Sequence, residues 1–174
     1  MIPLSAISSN RLTWSKLSNN CGSEIRLGDE IIGTLRRPSA WCFRFEATTP
    51  QGNWTFRRRG FLSSEIVDAT TKQPIAVFKP GWSGGRGTLT FADGQAFYMK
   101  CDGWWRRVWT VTTDSGEPVL SLHTRDKSVE LSGGSLDQGN PYATRISLLI
   151  MFTLYRIRQA EEDAAAAVVV AAIS

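Results

Sequence analysis

The sequence predicts a mainly β protein: a closed antiparallel barrel of about twelve strands enclosing one hydrophobic C-terminal helix. Three observations lead there. Residues 146–155 are apolar on every side of a helix instead of along one stripe, which requires burial in protein or lipid. Arg145 and Arg156 bracket that run, so it falls short of the roughly 17 to 20 apolar residues a bilayer span needs. Before it lies a long series of hairpin-like segments, and a sheet that closes on itself both surrounds a helix and removes exposed strand edges. A helix with its side chains is roughly 10 to 12 Å across, too wide for an eight-strand interior. Ten to twelve strands are wanted, and about ten are read directly.

Residues 1–22 are rich in Ser and Asn and read as an irregular leader, with a short strand around Leu12 and Trp14. The barrel is expected over residues 23–160. Residues 24–27 and 30–35 form a first hairpin across Gly28-Asp29. Trp41, Phe43 and Phe45 alternate with Cys42, Arg44 and Glu46, the period of a strand with one buried face. Trp54-Thr55-Phe56-Arg57-Arg58-Arg59 alternates again, with Arg57 and Arg59 opposite Trp54 and Phe56 and hence outward. Residues 61–68 and 74–79 make the next pair. Gly81-Trp82-Ser83-Gly84-Gly85-Arg86-Gly87 leads into a strand, not a helix, and so is a connection and no phosphate-cradling loop. Hairpins follow around Asp93-Gly94 and around 114–117. An offset of 44 residues lays Phe45 on Leu89, Trp54 on Tyr98, Phe61 on Trp105, Val67 on Val111, Pro74 on Pro118 and Ile75 on Val119, the pattern of a duplicated four-strand unit.

After a further strand at 128–131, Asn140 and Pro141 are suited to the N-cap and first position of the central helix, 141–158. Ile146, Leu149, Ile150, Phe152 and Thr153 are its core positions. Residues 161–174 open with Glu161-Glu162-Asp163 and end in an Ala/Val-rich tail, leaving open whether the tail continues the helix, docks in a groove or hangs loose.

This layout resembles the tubby C-terminal-like superfamily, which includes the LURP-one-related proteins and the phospholipid scramblases. The likeness rests on Trp41-Cys42-Phe43-Arg44-Phe45, the Gly94-Gln95-Ala96-Phe97-Tyr98 hairpin, Trp104-Trp105-Arg106-Arg107-Val108-Trp109 and the terminal apolar helix, and covers residues 23–158. The resemblance implies a twelve-strand barrel around a C-terminal helix and, from the tubby branch, phosphoinositide binding by basic residues on the barrel wall. The chain is shorter than a tubby domain and lacks the Pro- and Cys-rich N-terminal regions of scramblases, so the branch is not assigned.

The formal charge of +4 and a pI near 9.2 favour anionic partners without identifying one. Arg57, Arg59, Arg106, Arg107, Arg36, Arg37 and Lys100 are the candidate ligand residues, because guanidinium groups bind phosphate bidentately. The competing reading makes them solvated charges that guard strand edges. Trp104 and Trp105 point to opposite faces if they lie in a strand, so one of them belongs to the core. His123, the single histidine, has no acid or thiol at a catalytic spacing, and Cys21, Cys42 and Cys101 form no metal-ligand pattern. No enzyme activity, metal or cofactor is expected. Reduced thiols and the absence of a basic-then-apolar leader point to a cytoplasmic protein, peripheral to a membrane if it binds lipid. The expected function is a non-enzymatic module recognising anionic phospholipid headgroups or a protein partner through the barrel exterior. Nucleic-acid binding and a scramblase-like membrane role are the alternatives.

Overall fold

A computed structural model describes residues 12–18, 21–39, 41–60, 63–82, 85–102, 108–132 and 142–173, with side chains to residue 168. Twelve strands form an up-and-down antiparallel barrel: β1 (Leu12–Lys16), β2 (Gly22–Leu27), β3 (Glu30–Arg36), β4 (Arg44–Thr49), β5 (Gly52–Arg59), β6 (Ser63–Asp68), β7 (Pro74–Pro80), β8 (Arg86–Phe91), β9 (Ala96–Asp102), β10 (Val108–Thr113), β11 (Pro118–His123) and β12 (Ser128–Leu131). Each strand pairs with its sequence neighbours, and β1 pairs with β12 to close the wall. A 3-10 turn, Ala143–Arg145, leads into a single helix, α1 (Ile146–Ile173).

Residues 146–155 of the helix are buried because that stretch of sequence leaves it no outward face. Ile146, Leu149, Ile150, Phe152 and Thr153 are all within 1% of full burial, as are Met151, Leu154 and Tyr155. Such all-round burial requires wall on every side, and strands β3, β4, β5 and β11 all touch the helix. Inward residues of the strands complete the contact. Phe152 meets the rings of Phe56 and Phe78, and Tyr155 meets Phe45 and Phe56, at centroid separations of 5.4 to 5.5 Å. The buried Thr153 hydroxyl donates to the Leu149 carbonyl at 2.7 Å, so its burial leaves no donor unmade.

Two glycines make room for this packing. Ile25 pairs with Gly33 and Arg26 with Ile31, so a bulge turns both Ile32 and Gly33 inward. A Cβ at Gly33 would come within 3.2 Å of the Met151 sulfur. At Gly87 it would lie 2.2 Å from the Phe78 ring, so the absence of a side chain there lets Phe78 reach Phe152.

Several sequence expectations change. The barrel begins before residue 23: Leu12 and Trp14 are buried, and β1 is the strand that closes the cylinder. Trp41 and Phe43 are not on an inner face. β4 starts at Arg44, after a turn in which the Cys42 amide bonds the Ser39 carbonyl, and both rings stand 92% and 78% exposed. The helix does not stop at residue 158; it continues through the acidic triplet to Ile173. Its expected start at Asn140 and Pro141 lies outside the described residues, as do Phe61, Trp104, Trp105, Arg106 and Arg107. The 44-residue offset superposes the starts of β5 on β9 and β7 on β11. It pairs buried Phe45 with buried Leu89 and buried Val67 with buried Val111 but sets inward Trp54 on outward Tyr98, so facing repeats only in part.

Candidate functional site

Strand direction sorts the charges. The helix enters at the end of the barrel formed by the β4–β5, β8–β9 and β10–β11 turns. There Arg145 is fastened to Asp93 and Gln95, with its guanidinium 4.1 Å from the centre of the Phe91 ring. The hydrogen bond and charge of Arg145 hold the Asp93 carboxyl below the usual range. Besides Asp93, this entry end carries Asp29, Glu30, Asp68, Asp114 and Glu117 against Arg26, Lys72 and Arg145.

The opposite, exit end is cationic. Among the described residues it gathers Lys16, Arg36, Arg37, Arg44, Arg57, Arg58, Arg59, Lys79, Arg86, Lys100, Arg125 and Lys127 in or beside its strand ends. Three of them grip the helix as it leaves. Lys16 pairs with Glu161 at 2.9 Å, Arg37 with Glu162 at 2.5 Å and Arg58 with Asp163 at 3.2 Å. These pairs form a collar in which each acid of the helix triplet meets a cation from β1, from just beyond β3 or from β5. Beyond it the helix leaves the barrel, and residues 164–168 are exposed.

The sequence-derived basic residues divide accordingly. Arg57 and Arg59 do point outward, and both bind the nearly buried Glu65 of β6, at 2.7 and 3.8 Å. Arg37 is committed to Glu162 and lies 4.7 Å from the centre of the Phe45 ring. Arg36 is exposed at the end of β3. Lys100 stands on β9, with β6, β7 and β8 between its strand and β5. The described candidates therefore share one end of the barrel without forming one contiguous cluster; Arg106 and Arg107 are outside the described residues.

Lys100 has a different neighbour. The register of β8 on β9 sets Arg86 directly across from it. The two flank a groove of about 560 Å³ in the outer wall, which also includes Thr88, Tyr98, Thr110 and Thr112. Tyr98 is half exposed, and Lys100 Nζ contacts Asp102 at 2.9 Å, so the groove has more cationic groups than carboxylates. Guanidinium, ammonium and several hydroxyls around one shallow depression form a donor-rich set suited to a phosphate group. Sequence reasoning passed over Arg86 because it reads as part of a glycine-rich connection; only strand register brings it to Lys100.

No family model, curated protein or solved structure matches this chain. Among the described residues there is no group of three His, Cys, Asp or Glu side chains placed to hold a metal ion. His123 ends β11 and lies 3.3 Å from Glu130 on the neighbouring strand. Among the described residues no helix is long and apolar enough to cross a membrane.

Proposed function

We propose that the protein is a non-enzymatic binding module for anionic phospholipid headgroups, of the phosphoinositide type, acting through the exterior of the barrel at its exit end. The observation that carries this reading is the wall groove in which Arg86 and Lys100 are cross-strand neighbours among threonine and tyrosine hydroxyls. Phosphate esters need several fixed donors and a net positive field, and the groove supplies both. The resemblance to the tubby C-terminal-like superfamily supports the same ligand class. A peripheral position on a cytoplasmic membrane face accompanies the reading.

Co-sedimentation with phosphatidylcholine vesicles, with and without phosphatidylinositol 4,5-bisphosphate, tests it. Charged hydrogen bonds contribute about 1.5 to 3 kcal/mol each, so Arg86→Ala with Lys100→Ala should weaken binding by more than about tenfold. Arg57→Ala with Arg59→Ala should cost much less, because Glu65 already holds both. Equal binding to the two vesicle types, or full binding by the Arg86/Lys100 double variant, would remove the proposal.

A further inference from the structure

The exit end carries a second feature that headgroup recognition does not use. Over residues 164–168 the helix is exposed beyond the barrel, Val168 by 69%, and the helical sequence runs on through Ala and Val to Ile173 without a polar residue. On the same end, from separate connections, Trp41, Phe43 and Trp82 are 92%, 78% and fully exposed. Large exposed apolar groups that share one end of a barrel mark that end as a candidate interaction surface. Here that surface is ringed by the cationic strand ends.

We infer that this end seats on an anionic bilayer with the helical tip inserted into a single leaflet. The inference rests on the headgroup reading above and adds orientation and depth to it. Length argues for one leaflet: the ten residues 164–173 extend about 15 Å, half of a hydrocarbon core about 30 Å thick. Charge argues for an anionic lipid surface over a second copy of the chain, since two such cationic ends would repel each other. The collar removes the obvious obstacle. Glu161, Glu162 and Asp163 lie at the base of the tip, where free carboxylates would repel anionic headgroups, and each is matched by Lys16, Arg37 or Arg58. The entry end, with its excess of carboxylates, faces away from the membrane. Trp41 and Trp82 then lie at the level where indole rings favour the membrane interface.

The test uses the full chain, vesicles of phosphatidylcholine with phosphatidylserine, and Ala165→Asp with Val168→Asp, both at exposed positions that leave the barrel core intact. Wild-type protein should bind only anionic vesicles, and a fraction should resist elution at 1 M salt, because inserted apolar surface is not screened. The double variant should keep its melting temperature and its low-salt binding, lose the salt-resistant fraction, and bind at least about tenfold more weakly at intermediate salt, since carboxylates in the bilayer are strongly disfavoured. An unchanged salt-resistant fraction in the variant overturns the inference. So does complete elution of the wild type, which would leave headgroup binding standing. Failure to bind these vesicles at any salt overturns the inference, whereas failure to bind vesicles containing phosphatidylinositol 4,5-bisphosphate defeats the headgroup reading itself. Vesicle-free dimerisation abolished by the two substitutions would assign the tip to a second copy and overturn insertion.

Discussion

Phe152→Ala removes a ring through which the enclosed helix meets two rings of the wall. Phe152 is fully buried and lies 5.5 Å from Phe56, 5.4 Å from Phe78 and 5.6 Å from Tyr155, centre to centre. Truncation of a buried Phe costs about 3 to 5 kcal/mol, the cost rising with the cavity that fails to collapse. Collapse is difficult here, because a hydrogen-bonded cylinder cannot narrow without breaking its ladders. The upper part of that range, about 4 to 5 kcal/mol, is expected. For a chain of this size each kcal/mol lowers the melting temperature by about 2 to 4 °C, so the fall should be roughly 8 to 20 °C. Thermal unfolding followed by tryptophan fluorescence measures it, since Trp14, Trp54 and Trp109 report from the inner face. Phe43→Ala, at 78% exposure, is the control and should stay within about 0.5 kcal/mol. If Phe152→Ala and Phe43→Ala melt together, the helix is not packed inside the wall.

Gly87→Ala should destabilise by about 1 to 3 kcal/mol despite being a small change, because its Cβ meets the Phe78 ring and the Lys79 carbonyl; a neutral effect in the same melt would contradict the packing. Asp93 and Asp68 have folded-state values below the ordinary aspartate value of about 3.9, Asp93 through Arg145 and Asp68 through the Thr71 amide. A lowered value means stability present above the unfolded value and lost as pH falls through the folded one. Melting temperature should therefore drop below about pH 4, and Asp93→Asn with Asp68→Asn should flatten that drop; an unchanged acid limb would refute it. Burial pushes the Tyr155 hydroxyl above the usual tyrosine value. The folded state then holds its proton longer than the unfolded chain, and stability falls as pH rises past about 10. Tyr155→Phe should reduce that alkaline slope while losing the 2.7 Å bond donated by Gln159, about 1 kcal/mol near neutrality; an equally steep slope in the variant would contradict the assignment.

The barrel and its helix were legible because both rest on local periodicity. Trp54 and Phe56 alternating with Thr55 and Arg57 set the facing of β5, and an apolar run with no polar side demanded enclosure. The site was legible in residue type but not in partnership. Lys16, Arg37 and Arg58 meet acids more than 100 residues away, and nothing in a run of basic residues reports that Glu161, Glu162 and Asp163 already hold them. Arg86 meets Lys100 only through the register of two strands. Trp41 and Phe43 misled for a related reason: their alternation with Cys42 and Arg44 is real, but a turn stabilised by the Ser39 carbonyl delays the strand until Arg44. The extension of the helix past residue 158 was open in sequence terms because an acidic triplet suits an exposed helical turn as well as a loop.

Hydrogen exchange of the full chain, resolved along the helix, tests the enclosed helix most directly. If the wall surrounds it, amides of residues 147–157 exchange only through global unfolding and as slowly as those of β5 and β11, while residues 164–168 exchange faster by orders of magnitude. Rapid exchange across 147–157 with the strands still protected would mean that the helix leaves the barrel readily, contrary to the fold described.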